Sequence, residues 1–473
     1  MILALLLLLA YFALLLLVAR SSGGGTTNDA FFRAGRRAPW AMVAFGMIGA
    51  SISGVSLISV PGWVATTGMS YLQMCAGFFF GYLAVAFVLL PVYYRLRLTS
   101  IYGFLLQRFG PRTHRTGALF FLLSKLSGAA ARLYLACVVL YAFLPQIGLH
   151  YFVAALLLMI WFYTRRSGIG AIVRTDALQT LCLLLSAGGI LWAVCHHLHF
   201  GLADAWHAVA ESPMSQIFVW DADSRQNFWR QFFSGIFIVI VMTGLDQDMM
   251  QKNLTCASLR DAQKDMCSYG VAFLPVNALF RALCVLLYHY CSVAGIAAPE
   301  HGDQLLPMLV SGGHLGQWVI VPFIIGIASA AFSSADSAMT SLTTSVCVDI
   351  FGRDDDERLR RRVHLGVIAA FYVSILLFQA AGSSNIIDTI YTMAGYTYGP
   401  LLGLYLYGLC CRDEVRDRWV PIVALTAPVV CGLLDHFAPI WWDYHFGYEL
   451  LMLNGVLTIA GLWCLRKRPH STR

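Results

Sequence analysis

Apolar runs long enough to cross a bilayer recur from residue 2 to residue 465, and that recurrence leaves few folds open to this chain. A helix needs about 20 apolar residues to cross roughly 30 Å of hydrocarbon, and in lipid every backbone polar group must be satisfied internally. The runs predict thirteen helices. They are α1 (Ile2 to Ala19), α2 (Trp40 to Ala65), α3 (Tyr71 to Tyr94), α4 (Thr116 to Leu144), α5 (Tyr151 to Tyr163), α6 (Ala171 to His196) and α7 (Phe232 to Met250). The rest are α8 (Tyr269 to Ala294), α9 (Trp318 to Ile350), α10 (Val363 to Ala380), α11 (Ile386 to Leu409), α12 (Trp419 to Phe437) and α13 (Tyr448 to Leu465). With 59% hydrophobic and 12% charged residues, this is the pattern of an all-α polytopic membrane protein.

Orientation follows from the basic residues. With the N-terminus outside, alternate loops collect Arg33, Arg36, Arg37, Arg95, Arg97, Arg108, Arg112, Arg115, Lys252, Arg260, Arg358 and Arg412, whereas Arg225 and Arg230 fall outside. That asymmetry obeys the positive-inside rule and puts the C-terminus in the cytoplasm of a cell that carries the protein in its plasma membrane. The net charge of +7 is therefore a topology signal and not a nucleic-acid footprint. Before Arg20 there is no basic n-region and no small-residue cleavage site, so α1 reads as a retained helix. The thirteen cysteines lack C-x-x-C pairing and read as packing residues. His196, His197 and His199 read as an interfacial cluster more readily than as metal ligands. No soluble domain, nucleic-acid site or obligate protein partner is evident; the expected partners are lipid and a small solute.

Polar residues inside the spans carry the chemistry. In α9, Ala330, Ser333, Ser334, Ser337, Ser341 and Thr344 recur at three- and four-residue spacing, so they share one face, with Asp336 beside them. Hydroxyls with one carboxylate suit a small hard cation that must also leave, and sodium fits. Two spans carry glycine and polar residues at mid-depth: Gly49 to Ser56 in α2, and Thr243, Gly244, Leu245, Asp246 and Gln247 in α7. Unwinding there frees carbonyls for cations and helix N-termini for anions; the plainer reading is a pair of packing kinks. The breaks lie five helices apart, as inverted repeats α2–α6 and α7–α11 require. Gly77 and Gly81 in α3 carry a packing meaning only. Lys125, Arg132, Asp176, Asp246, Asp248, Arg281, Asp336 and Asp388 are ionisable groups within spans, each costing about 2.5–3.5 kcal/mol to insert. Pairing is the expectation for Lys125, Arg281, Asp248 and Asp388, and function for Asp176 and Arg132.

Six pieces in order resemble the sodium/solute symporter family: A-S-I-S-G-V-S-L-I-S-V-P-G from Ala50, T-S-I-Y-G-F-L-L-Q-R-F-G from Thr99, R-T-D-A-L-Q from Arg174, G-L-D-Q-D-M-M-Q-K from Gly244, A-F-S-S-A-D-S from Ala331 and G-Y-T-Y-G-P-L-L-G from Gly395. The resemblance covers nearly the whole chain. It implies a LeuT-like 5+5 inverted repeat with about thirteen helices and alternating access. One transporter domain would then fill residues 1–473: a peripheral helix and inner loop (1–39), a first repeat (40–197), an outer loop (198–228), a second repeat (229–411) and peripheral helices (412–473).

Carried over by position, the resemblance implies a sodium site from the carbonyls of Gly49, Ile52 and Ala330 and the hydroxyls of Ser333 and Ser334. A possible second sodium site would use Asp176, Ser333, Asp336 and Ser337. Asp336 stands where the two-sodium sialic acid carriers have a serine, so it either strengthens that site or is engaged elsewhere. Val55 and Ser56 replace the Glu-Gln pair of sugar-carrying relatives, which weakens a glucose-type pattern. Arg132 resembles the arginine with which sialic acid carriers hold a carboxylate, supported by Ser53, Ser56 and Gln73, with Asp246 and Gln247 facing from α7. A lipid-facing or salt-bridge role for Arg132 is the alternative. The expected function is sodium-coupled uptake of an organic solute with a tilt toward a carboxylate such as sialic acid. A neutral sugar or polyol symporter and a transporter-like sensor are the alternatives, the sensor demoted because no signalling module follows α13. No nucleophile-base constellation, metal motif or phosphate loop points to an enzyme.

Overall fold

The computed structural model describes residues 2–21, 27–52, 54–381 and 386–467. Each of the thirteen predicted runs is helical: α1 Ile2–Ser21, α2 in pieces Trp40–Ser51, Gly54–Ile58 and Val60–Thr67, α3 Tyr71–Arg95, α4 Pro111–Tyr141, α5 Leu149–Ser167 and α6 Ile169–Leu198. Then come α7 as Phe228–Gly244 and Gln247–Asn253, α8 Leu259–Ala294, α9 Gln317–Ile350, α10 Glu357–Ala381, α11 Ile386–Cys410, α12 Val420–Trp442 and α13 Leu450–Cys464. Among the described residues, eight helices are long and apolar enough to cross a membrane, and the bent pair of α7 makes nine. The protein is a multi-pass membrane protein, and the count of thirteen spans stays an expectation, because α5 and α13 are short, α2 is broken and α11 is not among the nine.

The polarity of the molecule is arranged for lipid. Along α12, Ile422, Leu425, Val429 and Leu433 are exposed at helical spacing, while α1 buries Ala4, Leu8, Tyr11, Leu15 and Ala19 along one stripe and leaves Leu6, Leu9 and Leu17 out. Inside, Asp176, Lys252, Arg281 and Asp336 are each no more than 1% exposed. Lys252 faces Asp176, while Arg281 and Asp336 turn to ring, hydroxyl and backbone partners inside the bundle instead of the hydrocarbon.

Lys252, expected on an inner loop, instead belongs to the second piece of α7. The helix runs past the apolar stretch because each polar residue there finds a partner. Gln251 donates to the Phe32 carbonyl (2.9 Å) and to the Thr344 hydroxyl (2.9 Å), and Asn253 donates to Asp265 (2.6 Å).

Apolar burial gives little drive between helices already in lipid, so close approach must come from small residues. Gly77 and Gly81 of α3 meet α7 so closely that a Cβ on Gly77 would lie 2.1 Å from the Phe232 carbonyl oxygen, and one on Gly81 2.7 Å from that of Ile236. From the other side, a Cβ on Gly235 would reach 2.3 Å from the Met74 carbonyl oxygen. Between α2 and α6, a Cβ on Gly49 would fall 2.0 Å from the Thr180 hydroxyl. Three helices carry single π-helical turns, at Val85–Leu89, Ile240–Gly244 and Val346–Ile350.

Gly77→Ala must therefore separate α3 from α7 against backbone, at a cost of about 1–3 kcal/mol. Gly188→Ala, whose Cβ meets nothing within 4 Å, is the matched control. A lower unfolding temperature in detergent for the first and not the second is the expected result.

Candidate functional site

The break in α7 begins with the π turn Ile240–Gly244 and ends at Asp246, an extended residue whose carboxylate accepts from the N–H groups of Asp248 (2.9 Å) and Met249 (3.2 Å). Asp246 thus caps the second piece, which leaves the first at 69°. The carbonyls freed by the break are taken by tyrosines: Tyr93 donates to Gly244 (2.8 Å) and Tyr102 to Leu245 (2.8 Å). Gln247 accepts from Ile101 N–H (2.9 Å) and donates to the Thr99 carbonyl (3.1 Å). The T-S-I-Y-G-F stretch and the break therefore lock together on the side of the arginine-rich loops. Nearby, Asp349 accepts from Ser100 (2.7 Å) and Ser345 (2.7 Å) and contacts His114 Nε2 at 2.9 Å.

In α2 the first piece ends as Ile52 leaves helical geometry (φ −89°, ψ 84°), and the helix resumes at Gly54. Ser53 lies outside the described residues, as do the side chains of Val55 and Asp388.

A cavity of about 120 Å³ lies between these breaks. Ser51, Arg132, Asp246, Ser333, Ser334 and Tyr398 line it, with Phe78, Tyr82, Tyr269 and Phe273 as an aromatic wall. Lys125 Nζ lies 3.2 Å from Asp246 Oδ2 and 2.7 Å from Asp248 Oδ2, and the Tyr398 hydroxyl donates to Asp246. Arg132 makes no ion pair or hydrogen bond among the described residues. A larger cavity of about 390 Å³, lined by Arg225, Gln226, Gln231 and Asp435 among others, shares Tyr71, Ile238, Met242 and Ala394 with the first.

The serine stripe of α9 meets α6. Ser333 donates to Asp176 Oδ1 (2.8 Å), and Lys252 Nζ lies 2.8 Å from Asp176 Oδ2. Asp336 accepts from Tyr163 (2.5 Å) and from the Ser337 N–H (2.6 Å). The Ser334 hydroxyl is buried without a hydrogen-bond partner among the described residues.

The structure thus gathers Arg132, Asp246, Ser333 and Ser334 around one cavity, with Asp176, Asp336 and Ser337 packed beside it. Gln73 and Gln247 sit apart. Gln73 is held by the outer loop, accepting from Val219 N–H (3.1 Å) and donating to the carbonyls of Ser70 (3.2 Å) and Gln226 (3.0 Å). Ser56 and the residues Gly49, Ile52 and Ala330 lie outside the cavity lining. Arg281 stacks on Tyr71 (4.4 Å) and donates to the Gly68 carbonyl (3.4 Å). Sequence reasoning counted Lys252 only as an inner-loop charge, although it stands inside the G-L-D-Q-D-M-M-Q-K piece, and gave no weight to the tyrosines that serve buried carboxylates and carbonyls.

The profile of the sodium:solute symporter family matches residues 31–413. The human sodium/iodide cotransporter is 26% identical over 416 residues, 80% of this chain and 60% of that protein. The sodium/sialic acid symporter of Proteus mirabilis is 24% identical over 470 residues, 92% of this chain and 88% of that one. The sodium-dependent multivitamin transporter of Oryctolagus cuniculus is 25% identical over 397 residues, 80% and 60% of the two chains. The chain therefore spans about 60% of the length of the iodide and multivitamin carriers. Among solved structures, a substrate-bound, outward-open Na+-coupled sialic acid symporter superposes with a TM-score of 0.83 at 18% identity, covering 98% of each chain. Mhp1, a nucleobase-cation-symport-1 family transporter in a closed conformation, gives 0.56 at 14% identity, with 92% and 93% covered. The fold is LeuT-like, as the resemblance implied.

Lys125 holds two buried carboxylates, so Lys125→Met takes the ion-pair partner from both and should destabilise by about 3–5 kcal/mol. Adding Asp248→Asn removes one of the orphaned charges. A partial recovery of the unfolding temperature in the double variant is expected, and no recovery would mean that the ion pairs do not carry the stability.

Proposed function

The chain belongs to the sodium:solute symporter family, and from that premise we propose that the solute it carries with sodium bears a carboxylate, anchored by Arg132 in the central cavity. The observation that carries this reading is the contrast between the cavity's two cations. Lys125 is consumed by Asp246 and Asp248, whereas the Arg132 guanidinium has neither an ion pair nor a hydrogen bond among the described residues. A planar fork of donors suits a carboxylate, and the aromatic wall opposite suits the solute's apolar face. Sialic acid is one such solute, as in the Proteus mirabilis relative.

The cation path follows from the hydroxyls. Ser333 donates its proton to Asp176, which leaves its oxygen lone pairs for a cation, and the Ser334 oxygen has no other use among the described residues. Together with the carbonyls of Gly49, Ile52 and Ala330 they form the proposed sodium site. Alternating access is supported by the asymmetry of the two ends. The cavity shares a wall with the larger vestibule on one side, while Tyr93, Tyr102 and Gln247 close the arginine-rich side. With the arginine-rich loops in the cytoplasm of the plasma membrane, the vestibule faces outward and transport runs inward.

Two measurements test this. Losing one cation ligand in Ser334→Ala should raise the sodium concentration for half-maximal uptake roughly tenfold. Sodium-independent uptake by the intact protein would remove the site. For the solute, a screen of sugars, acidic sugars, amino acids and monocarboxylates reads binding as a shift in unfolding temperature. Arg132→Lys should weaken a carboxylate ligand by roughly 10- to 100-fold while leaving sodium binding in place. Equal binding of the ligand's neutral amide by the unmodified protein would return a neutral sugar or polyol to first place.

A further inference from the structure

Lys252 is the charge that the transport reading leaves without a task. It is 1% exposed, sits in the second piece of α7, and places its ammonium 2.8 Å from Asp176 of α6. Asp176, Asp336 and Ser337 are the residues that a second sodium would need. Around them, every carboxylate oxygen already faces a hydrogen-bond donor or a cation of the chain. Asp176 Oδ1 accepts from Ser333 and Oδ2 meets Lys252; Asp336 Oδ1 accepts from the Ser337 N–H and Oδ2 from Tyr163. A sodium ion seated beside Asp176 would also stand next to an ammonium. Two like charges about 4 Å apart repel enough, at the effective dielectric of a protein, to weaken binding on the order of a thousandfold.

We propose that Lys252 is a tethered cation that takes the place of a second sodium at Asp176, so that this symporter binds one sodium per cycle. The proposal rests on the sodium-symport reading and goes beyond it. The tether matters for the cycle. Lys252 rides on the piece of α7 that hangs from the break at Leu245 and Asp246, while Asp176 belongs to a continuous helix. A tilt of that piece would draw the ammonium from the carboxylate and later return it, so the second cation serves the cycle without leaving the protein. No charge crosses the membrane with it. A monoanionic solute moved with one sodium is then carried electroneutrally.

The test counts sodium ions on the purified full-length protein without any solute. Thermal unfolding is followed across sodium concentrations, with choline holding ionic strength constant, and the dependence of stability on the logarithm of sodium concentration reads the number of ions bound. One ion is expected for the unmodified protein and two for Lys252→Met, where Asp176 is freed. The double variant Asp176→Asn/Lys252→Met, which removes both charges together and so spares the fold an orphan, should return to one. Two ions on the unmodified protein falling to one in the double variant would overturn the tethered-cation assignment, as would a folded Lys252→Met that still binds one. A stability that ignores sodium in every variant would defeat the symport reading itself.

Discussion

A helix interrupted at membrane depth presents donors and acceptors that hydrocarbon cannot satisfy, and the carboxylate of Asp246 is what makes the interruption of α7 sustainable. One side chain closes three separate accounts: the N–H groups of Asp248 and Met249, the ammonium of Lys125 and the hydroxyl of Tyr398. The tyrosines at Gly244 and Leu245 complete the set by covering the carbonyls. Because those partners come from α3, α4, α11 and the loop after α3, the break ties four helices and a loop together.

The cavity depends on that arrangement and on the glycines that let α2 approach α6 and α3 approach α7. Only with these helices in near-backbone contact do Arg132, Asp246, Ser333 and Ser334 border one small space. The same closeness puts Asp176 within reach of both Ser333 and Lys252, so cation chemistry and helix packing share residues.

Much of the architecture was legible because it is written in local patterns. The apolar runs, the polar interruption at Thr243 to Gln247 and the hydroxyl face of α9 are all properties of spacing within a few turns. What stayed hidden depends on partners far along the chain. Gln73 and Gln247 look like free amides at mid-depth, yet most of their hydrogen bonds go to backbone more than a hundred residues away. Lys252 follows the apolar run of α7, and the carboxylate of Asp176, on another helix, explains its burial. Tyrosine is counted as apolar when spans are read, so Tyr93, Tyr102, Tyr163 and Tyr398 gave no warning that each would serve a buried oxygen.

The π turn at Val346–Ile350 has its own consequence for Asp349. A π turn holds one residue more than an α turn, so whatever follows is rotated by about 100° relative to an uninterrupted helix. Asp349 lies within that turn, and there its two oxygens meet Ser100, His114 and Ser345 at once. The extra residue acts as a phase adjuster: it lets α9 keep its hydroxyl face in step with α6 along most of its length and still deliver a carboxylate to α4 and the loop after α3 at its end. A helix that must satisfy two neighbours with different registers can thus do so within one span.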